Sequence, residues 1–270
     1  MSDLTFENAI YSWGVFWIFY WISGVYLSWK GNNIRPVERA QEVVNCLALN
    51  MVWTFVGSII LFYIPIRLDT TFNIIIKLLL CNLVTEVWFY HVHLMLHHPQ
   101  LYKKFHKRHH EFTHPYALTA MYCTGFEAVF CNLLAVGLGP VMLNITAPYL
   151  YIWFGLVAMN STFTHSGFRL GWLMDGSHDI HHESYRYNYG TLTIFDRLYG
   201  TYKDPLQSSV ADDTDDTATN EIKADEIKAD EIKADEIKAD EIKADEIKYK
   251  EIESNEIESN EITDTAEKLD

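Results

Sequence analysis

The residues of this chain best suited to chemistry are its twelve histidines, all of which lie between His91 and His182. Most fall in three short clusters. The segment HLMLH supplies His93 and His97, HKRHH supplies His106, His109 and His110, and HDIHH supplies His178, His181 and His182. On a helix, residues at i, i+3 and i+4 share a face, so each cluster should aim two or three imidazoles the same way. Eight imidazoles so arranged suit two metal ions better than one. Neutral imidazole binds iron, zinc, copper or nickel, so donor type alone does not choose the metal. A rival reading takes the basic run KKFHKRHH, residues 103–110, as a headgroup contact only. That leaves the repeated HxxHH spacing unexplained. His91 and His98 point away from the faces their neighbours share and are read as spare.

The elements that must position these clusters are membrane helices. A bilayer core takes about 20 mostly apolar residues of helix. Residues 9–29, AIYSWGVFWIFYWISGVYLSW, form such a run without a charge. The start, MSDLTFEN, lacks the basic residues of a cleaved signal. Residues 43–66 form a second run, and residues 71–96 a third that carries Lys77, Glu86, His91 and His93. Residues 126–163 are long enough for two legs, bent near Pro140 and Pro148. These legs are either a short hairpin or two full spans. The loop from Lys30 to Glu42 holds Lys30, Arg35 and Arg39, and Lys103, Lys104, Lys107 and Arg108 follow the third run. Basic loops mark the cytosolic side. Counting spans then puts both loops, every histidine cluster and the C-terminal tail on that side. Cys46, Cys81, Cys123 and Cys131 show no CxxC spacing and read as buried free thiols.

The charge is uneven. Residues 211–270 hold 23 acidic and 8 basic side chains, which accounts for the whole net charge of −15. EIKAD repeats five times from Glu221 to Asp245. A five-residue period turns the isoleucine by about 140° per repeat, so no apolar stripe forms. The expectation is a solvated, disordered tail without chemistry. The fold expected is an all-α integral membrane protein of four to five membrane helices, with a cytosolic helical cap bearing the histidines. Its parts are N-terminal spans over 1–70, a catalytic domain over 71–204 and the acidic tail over 205–270.

The spacing HxxxH, HxxHH, HxxHH on a chain with a few apolar spans resembles the fatty acid hydroxylase/sterol desaturase superfamily of membrane di-iron oxygenases. The likeness extends past the clusters. Glu86, Tyr90, His93 and His97 make an ExxxYxxHxxxH pattern, and HHPQLYKKFHKRHHEF looks like the family's second block. FTHSGF, with His165, resembles its lone-histidine segment, and NYGTLTIFDRLYGTY resembles the segment after the third cluster. In tone the stretch between the clusters is nearest the sterol C4-methyl oxidase branch. There are departures. Leu94 stands where arginine is usual, and Thr124 stands where many members have another histidine, with Glu127 at the glutamate that follows it. Either His114 substitutes for that histidine or the site has one ligand fewer.

The resemblance implies two iron ions held by His93, His97, His106, His109, His110, His165, His178, His181 and His182. It implies O2 as co-substrate, a membrane lipid as substrate and hydroxylation or desaturation of a C–H bond, with a sterol the expected class. Glu86, Tyr90 and Asp179 are candidates to accept the outward N–H of a ligating imidazole, and Asp196 is a fourth. The chain has no HPGG haem segment and no GxGxxG loop. Electrons would therefore come from outside, in the family from a cytochrome b5 or NAD(P)H reductase system. The basic run 103–108 either receives that donor or is a positive-inside anchor. Location in the endoplasmic reticulum is expected, and no nucleic-acid partner. Two rival readings stay open: a degenerate protein of this fold that binds metal without turnover, and a metal transporter, whose ligands would sit mid-membrane.

Overall fold

The computed structural model describes residues 6–64, 68, 71–170 and 175–205. These belong to one unit, Met1–Ser208. The acidic tail beyond Pro205 lies outside the described residues, as does the expected boundary near residue 70. Among the described residues the chain is helical, with no strand.

Three long helices open the fold: α1 (Phe6–Gly31), α2 (Ala40–Phe62) and α3 (Ile74–Leu96). Asn73 caps α3, its side chain accepting from the Ile76 N–H at 3.0 Å. The 126–163 run resolves into two antiparallel legs, α4 (Gly125–Met142) and α5 (Ala147–Thr164). The turn between them falls at 143–146. Pro148 sits in the first turn of α5, where its missing N–H costs nothing. Pro140 stays inside α4. The helices α1 to α4 are long and apolar enough to cross a membrane. Large side chains such as Ile22, Trp29, Val52, Ile60, Ile75 and Leu79 face outward on them. In water that surface would be costly; in lipid it is the expected exterior.

Antiparallel packing of successive helices brings Gly31, Ala40, Leu96, Gly125 and Thr164 to one end of the bundle, and every histidine cluster lies at that end. At the other end Lys77 Nζ donates to the Leu143 carbonyl at 3.1 Å, which satisfies a lysine lodged in an apolar helix. Buried polar side chains also tie the helices together. Thr54 of α2 accepts from Trp17 Nε1 of α1 at 3.0 Å, and the Tyr20 hydroxyl donates to the Leu118 carbonyl at 2.9 Å. The four cysteines are buried free thiols.

The cap is built from short pieces. A π-helical segment spans Tyr102–His106, closed by the Lys107 N–H to the Tyr102 carbonyl at 2.8 Å. A 3₁₀ turn follows at His109–Glu111. The second cluster therefore does not ride on one regular α-helix as expected. The third cluster does, on α6 (Ser177–Ser184), and α7 (Ile194–Tyr199) closes the cap.

Candidate metal centre

Nine imidazoles gather into two adjoining groups, one of five (His93, His97, His106, His110, His181) and one of four (His109, His165, His178, His182). Within each group the candidate ligand nitrogens lie within 4.8 Å of one another. The groups touch: the rings of His110 and His182 have centroids 4.8 Å apart. These nine are the nine singled out in the sequence. Their sorting was not foreseen. Each i, i+4 pair stays together (93 with 97, 106 with 110, 178 with 182), while the i+3 residue, His109 or His181, crosses to the other group. Adjacent residues on a helix differ by about 100°, so a tandem HH straddles two neighbouring sites instead of serving one.

The hydrogen bonds fix what these rings can do. A neutral imidazole has one N–H and one bare nitrogen. His93 Nδ1 meets the Tyr189 carbonyl at 2.8 Å and His181 Nδ1 the Tyr187 carbonyl at 2.8 Å. His165 Nδ1 meets the Ser161 carbonyl at 2.9 Å and His182 Nδ1 the Phe112 carbonyl at 3.1 Å. A carbonyl only accepts, so in each ring Nδ1 carries the proton and Nε2 is bare. His106 Nδ1 lies 2.9 Å from Glu127 Oε1, a close contact without hydrogen-bond geometry. The Nε2 atoms of each group converge. His106 Nε2 lies 3.1 Å from that of His93, 3.1 Å from that of His97 and 3.0 Å from that of His110. In the other group His178 and His165 approach Nε2 to Nε2 at 3.0 Å, and His182 Nε2 has no partner. So many ring nitrogens crowded together cannot all be paired as donor and acceptor, and the bare ones among them repel. A cation among them turns that repulsion into ligation, so these residues fit a metal in each group.

Burial also keeps the rings neutral. It pushes the His97 pKa down to about 2 and that of His165 to about 4. It holds His106, His109, His110, His178, His181 and His182 well below 6.5, with the neighbouring imidazoles adding to the effect. Neutral imidazole is the ligating form.

The groups expected to accept the outward N–H atoms do otherwise. Glu86 is fully buried and accepts from the N–H groups of Thr191, Leu192 and Ile194 at 2.7, 2.7 and 2.9 Å, and from the Thr191 hydroxyl at 2.8 Å. Asp196 accepts from the N–H groups of Tyr189 and Gly190, both at 2.8 Å. Together they shape the loop whose carbonyls meet His93 and His181, one layer farther out than expected. A Cβ added at Gly190 would lie 2.6 Å from Glu86 Oε1 and 2.9 Å from Asp196 Oδ2, so glycine is required between the two carboxylates. The Tyr90 hydroxyl bonds Thr201 Oγ1 at 3.0 Å. Asp179 pairs with Arg35. Glu127 was noted only as a motif residue, yet it is the carboxylate that meets an imidazole. Its signal was an acid in an apolar run with no basic residue near it, which in a membrane segment marks function by default.

The departures resolve as well. Thr124 Oγ1 donates to the Phe105 carbonyl at 2.7 Å and caps the start of α4, accepting from the Glu127 N–H at 3.3 Å. His114 is exposed and faces Glu183 at 3.4 Å, away from both groups. His91 and His98 are exposed and belong to neither group.

A cavity of about 630 Å³ runs from the centre into the bundle. His93, His109, His165 and His178 line it at the cap end, and Glu127 lies beside them. Farther in its wall is apolar, with Trp13 and Phe16 of α1, Leu78 of α3, Leu133 of α4, and Trp153 and Phe154 of α5.

Fold and site together define an integral membrane protein with two adjoining buried histidine groups, each able to hold a metal ion, at the mouth of a mostly apolar cavity within the bundle. Residues 78–201 match the fatty acid hydroxylase family model. Fatty acid hydroxylase domain-containing protein 2 of Homo sapiens is 32% identical over 181 residues, 64% of this chain and 54% of that protein. Fatty acid hydroxylase ahd1 of Mycosarcoma maydis is 34% identical over 183 residues, 63% of this chain and 48% of that protein. Methylsterol monooxygenase 1 of Rattus norvegicus is 31% identical over 133 residues, 45% of this chain and 44% of that protein. The chain spans about half the length of the curated relatives it matches. No solved structure matches. Residues 78–201 thus carry a fatty acid hydroxylase domain, consistent with the fatty acid hydroxylase/sterol desaturase superfamily.

Proposed function

We propose that this chain is a membrane lipid hydroxylase that holds two iron ions and uses O2 with electrons from an external donor. The observation that carries the reading is the meeting of the two imidazole groups with the membrane-enclosed apolar cavity at His93, His109, His165 and His178. His93, His97, His106, His110 and His181 would hold one iron, and His109, His165, His178 and His182 the other. Two irons held this way supply the redox chemistry that activates O2 against an unactivated C–H bond, which zinc does not.

The chain's own residues do the rest. The carbonyls of Tyr187, Tyr189, Phe112 and Ser161 hold each Nε2 bare and aimed inward. Glu127 stands beside His106 Nδ1 at 2.9 Å. The aromatic and aliphatic walls exclude water and admit a lipid that never leaves the bilayer. The names of the methylsterol monooxygenase relatives favour a sterol-type substrate, hydroxylated rather than desaturated according to which C–H bond the walls present. A cytochrome b5-type donor or its NAD(P)H reductase would approach the basic run Lys103–Arg108. The centre would face the cytosol from the endoplasmic reticulum membrane.

The test is turnover by the full chain in detergent, with reductase, cytochrome b5, NADPH, O2 and an extract of membrane sterols and fatty acids. Mass spectrometry should find a sterol that gains one oxygen, and the product should vanish in His109→Ala/His110→Ala. Iron-loaded chain that makes no product with a competent donor would overturn the hydroxylase and leave a metal-binding protein of the same fold.

A further inference from the structure

Arg35 lies in the loop between α1 and α2, outside the matched domain 78–201. Its side chain is nonetheless only 12% exposed. Its NH1 donates to the Pro115 carbonyl at 2.8 Å and to Asp179 Oδ1 at 2.9 Å. Pro115 closes the segment that carries His109, and Asp179 sits on α6 beside His178. A Cβ added at Gly167, two residues past His165 and at φ +77°, would lie 2.6 Å from Arg35 Nε. The four-imidazole group draws its ligands from three separate segments, and this one guanidinium touches all three. The same loop makes two more attachments to the second-cluster segment. The Tyr116 hydroxyl donates to the Glu38 carbonyl at 2.8 Å, and Arg39 pairs with Glu111 at 2.7 Å.

We propose that Arg35 is a positioning residue of the metal centre, clipping together the three segments that form the four-imidazole group. This rests on the metal-centre reading above. The guanidinium suits the task because its rigid fork of donors can serve a carbonyl and a carboxylate at once, which a lysine ammonium on a flexible stem does poorly. The N-terminal helices are then part of the centre as well as an anchor.

A buried pair of this kind could instead serve the fold alone, and the two roles separate experimentally. Breaking one partner of a buried ion pair is costly, whereas replacing both with apolar residues is often neutral for stability. The full chain would be compared with Arg35→Lys, Arg35→Met and the double variant Arg35→Met/Asp179→Leu. Iron per chain, the rate of metal loss to a chelator, and the visible absorption of the Co(II)-loaded protein would be read for each. The role predicts that the double variant keeps a near-normal Tm yet holds metal in the four-imidazole group about 10–100-fold more weakly. Iron should fall from two per chain toward one, with the Co(II) band of that group lost and partly restored in Arg35→Lys. Wild-type iron content, release rate and spectrum in the double variant, or in Arg35→Met where it folds, would overturn the role. Wild-type chain that binds no metal would overturn the metal-centre reading and this role with it.

Discussion

At the scale of single residues, the centre is a problem in proton placement. A ring whose Nδ1–H is committed to a carbonyl can offer only Nε2 to a metal, and four of the nine rings are committed that way by backbone. No side-chain pattern announces a backbone carbonyl, so those partners were not legible in the sequence, whereas the nine imidazoles were. Among the described residues Glu127 is the one carboxylate within 4 Å of an imidazole of the two groups. Glu127→Ala should weaken metal binding at the five-imidazole group by about 10–100-fold, and Glu127→Gln by less, since the amide keeps the shape and a polar group beside His106. Competitive chelator titration of the full chain checks this, and equal affinities in all three proteins would refute it. Gly190→Ala tests the outer layer. The added methyl meets two carboxylates held by backbone N–H groups, which cannot yield cheaply. A stability loss of about 1–3 kcal/mol is expected, read as a lower Tm in detergent; an unchanged Tm would show that the loop has more room than its contacts imply.

At the scale of elements, the apolar runs set the helices and their ends, and the helix ends set the site. The bend of the 126–163 run was marked by its prolines, though the turn settled between them, because a proline in the first turn of α5 is harmless and Pro140 is accommodated within α4. The π-helical segment at Tyr102–His106 was not legible, because i→i+5 bonding leaves no residue signature. It carries His106 to the five-imidazole group. The cap also predicts a pH response. Burial keeps its histidines neutral in the folded chain, down to about pH 4 at His165, while the unfolded chain takes up protons near pH 6.5. Below pH 6.5 the unfolded state therefore binds more protons, and stability present above that pH is lost as the pH falls. Each such ring adds about 1.4 kcal/mol per pH unit to the slope. Metal-free protein, followed by tryptophan fluorescence, should show a level Tm above pH 7 and a steep fall from 6.5 toward 5. A Tm level across that range would mean the rings are not buried neutral.

At the scale of the whole molecule, alternating helices put every histidine cluster at one end, and the basic loops predict that this end faces the cytosol. With all four native cysteines buried, Lys104→Cys and Tyr63→Cys report the two ends on a low background. In sealed microsomes an impermeant maleimide should label Cys at 104 and spare Cys at 63 until detergent is added; the reverse pattern would invert the orientation. The overall architecture was thus largely readable from hydropathy and charge. The dependence of the centre on the α1–α2 loop was not, because Arg35 looks like an ordinary positive-inside residue until its distance to Asp179 is known. The central claim is that nine imidazoles form two unlike metal sites, one of five and one of four. Mössbauer spectroscopy of the full chain expressed in ⁵⁷Fe medium tests it most directly. Two iron ions per chain in two quadrupole doublets of equal area are predicted. No bound iron, or a single doublet from one iron per chain, would contradict the account.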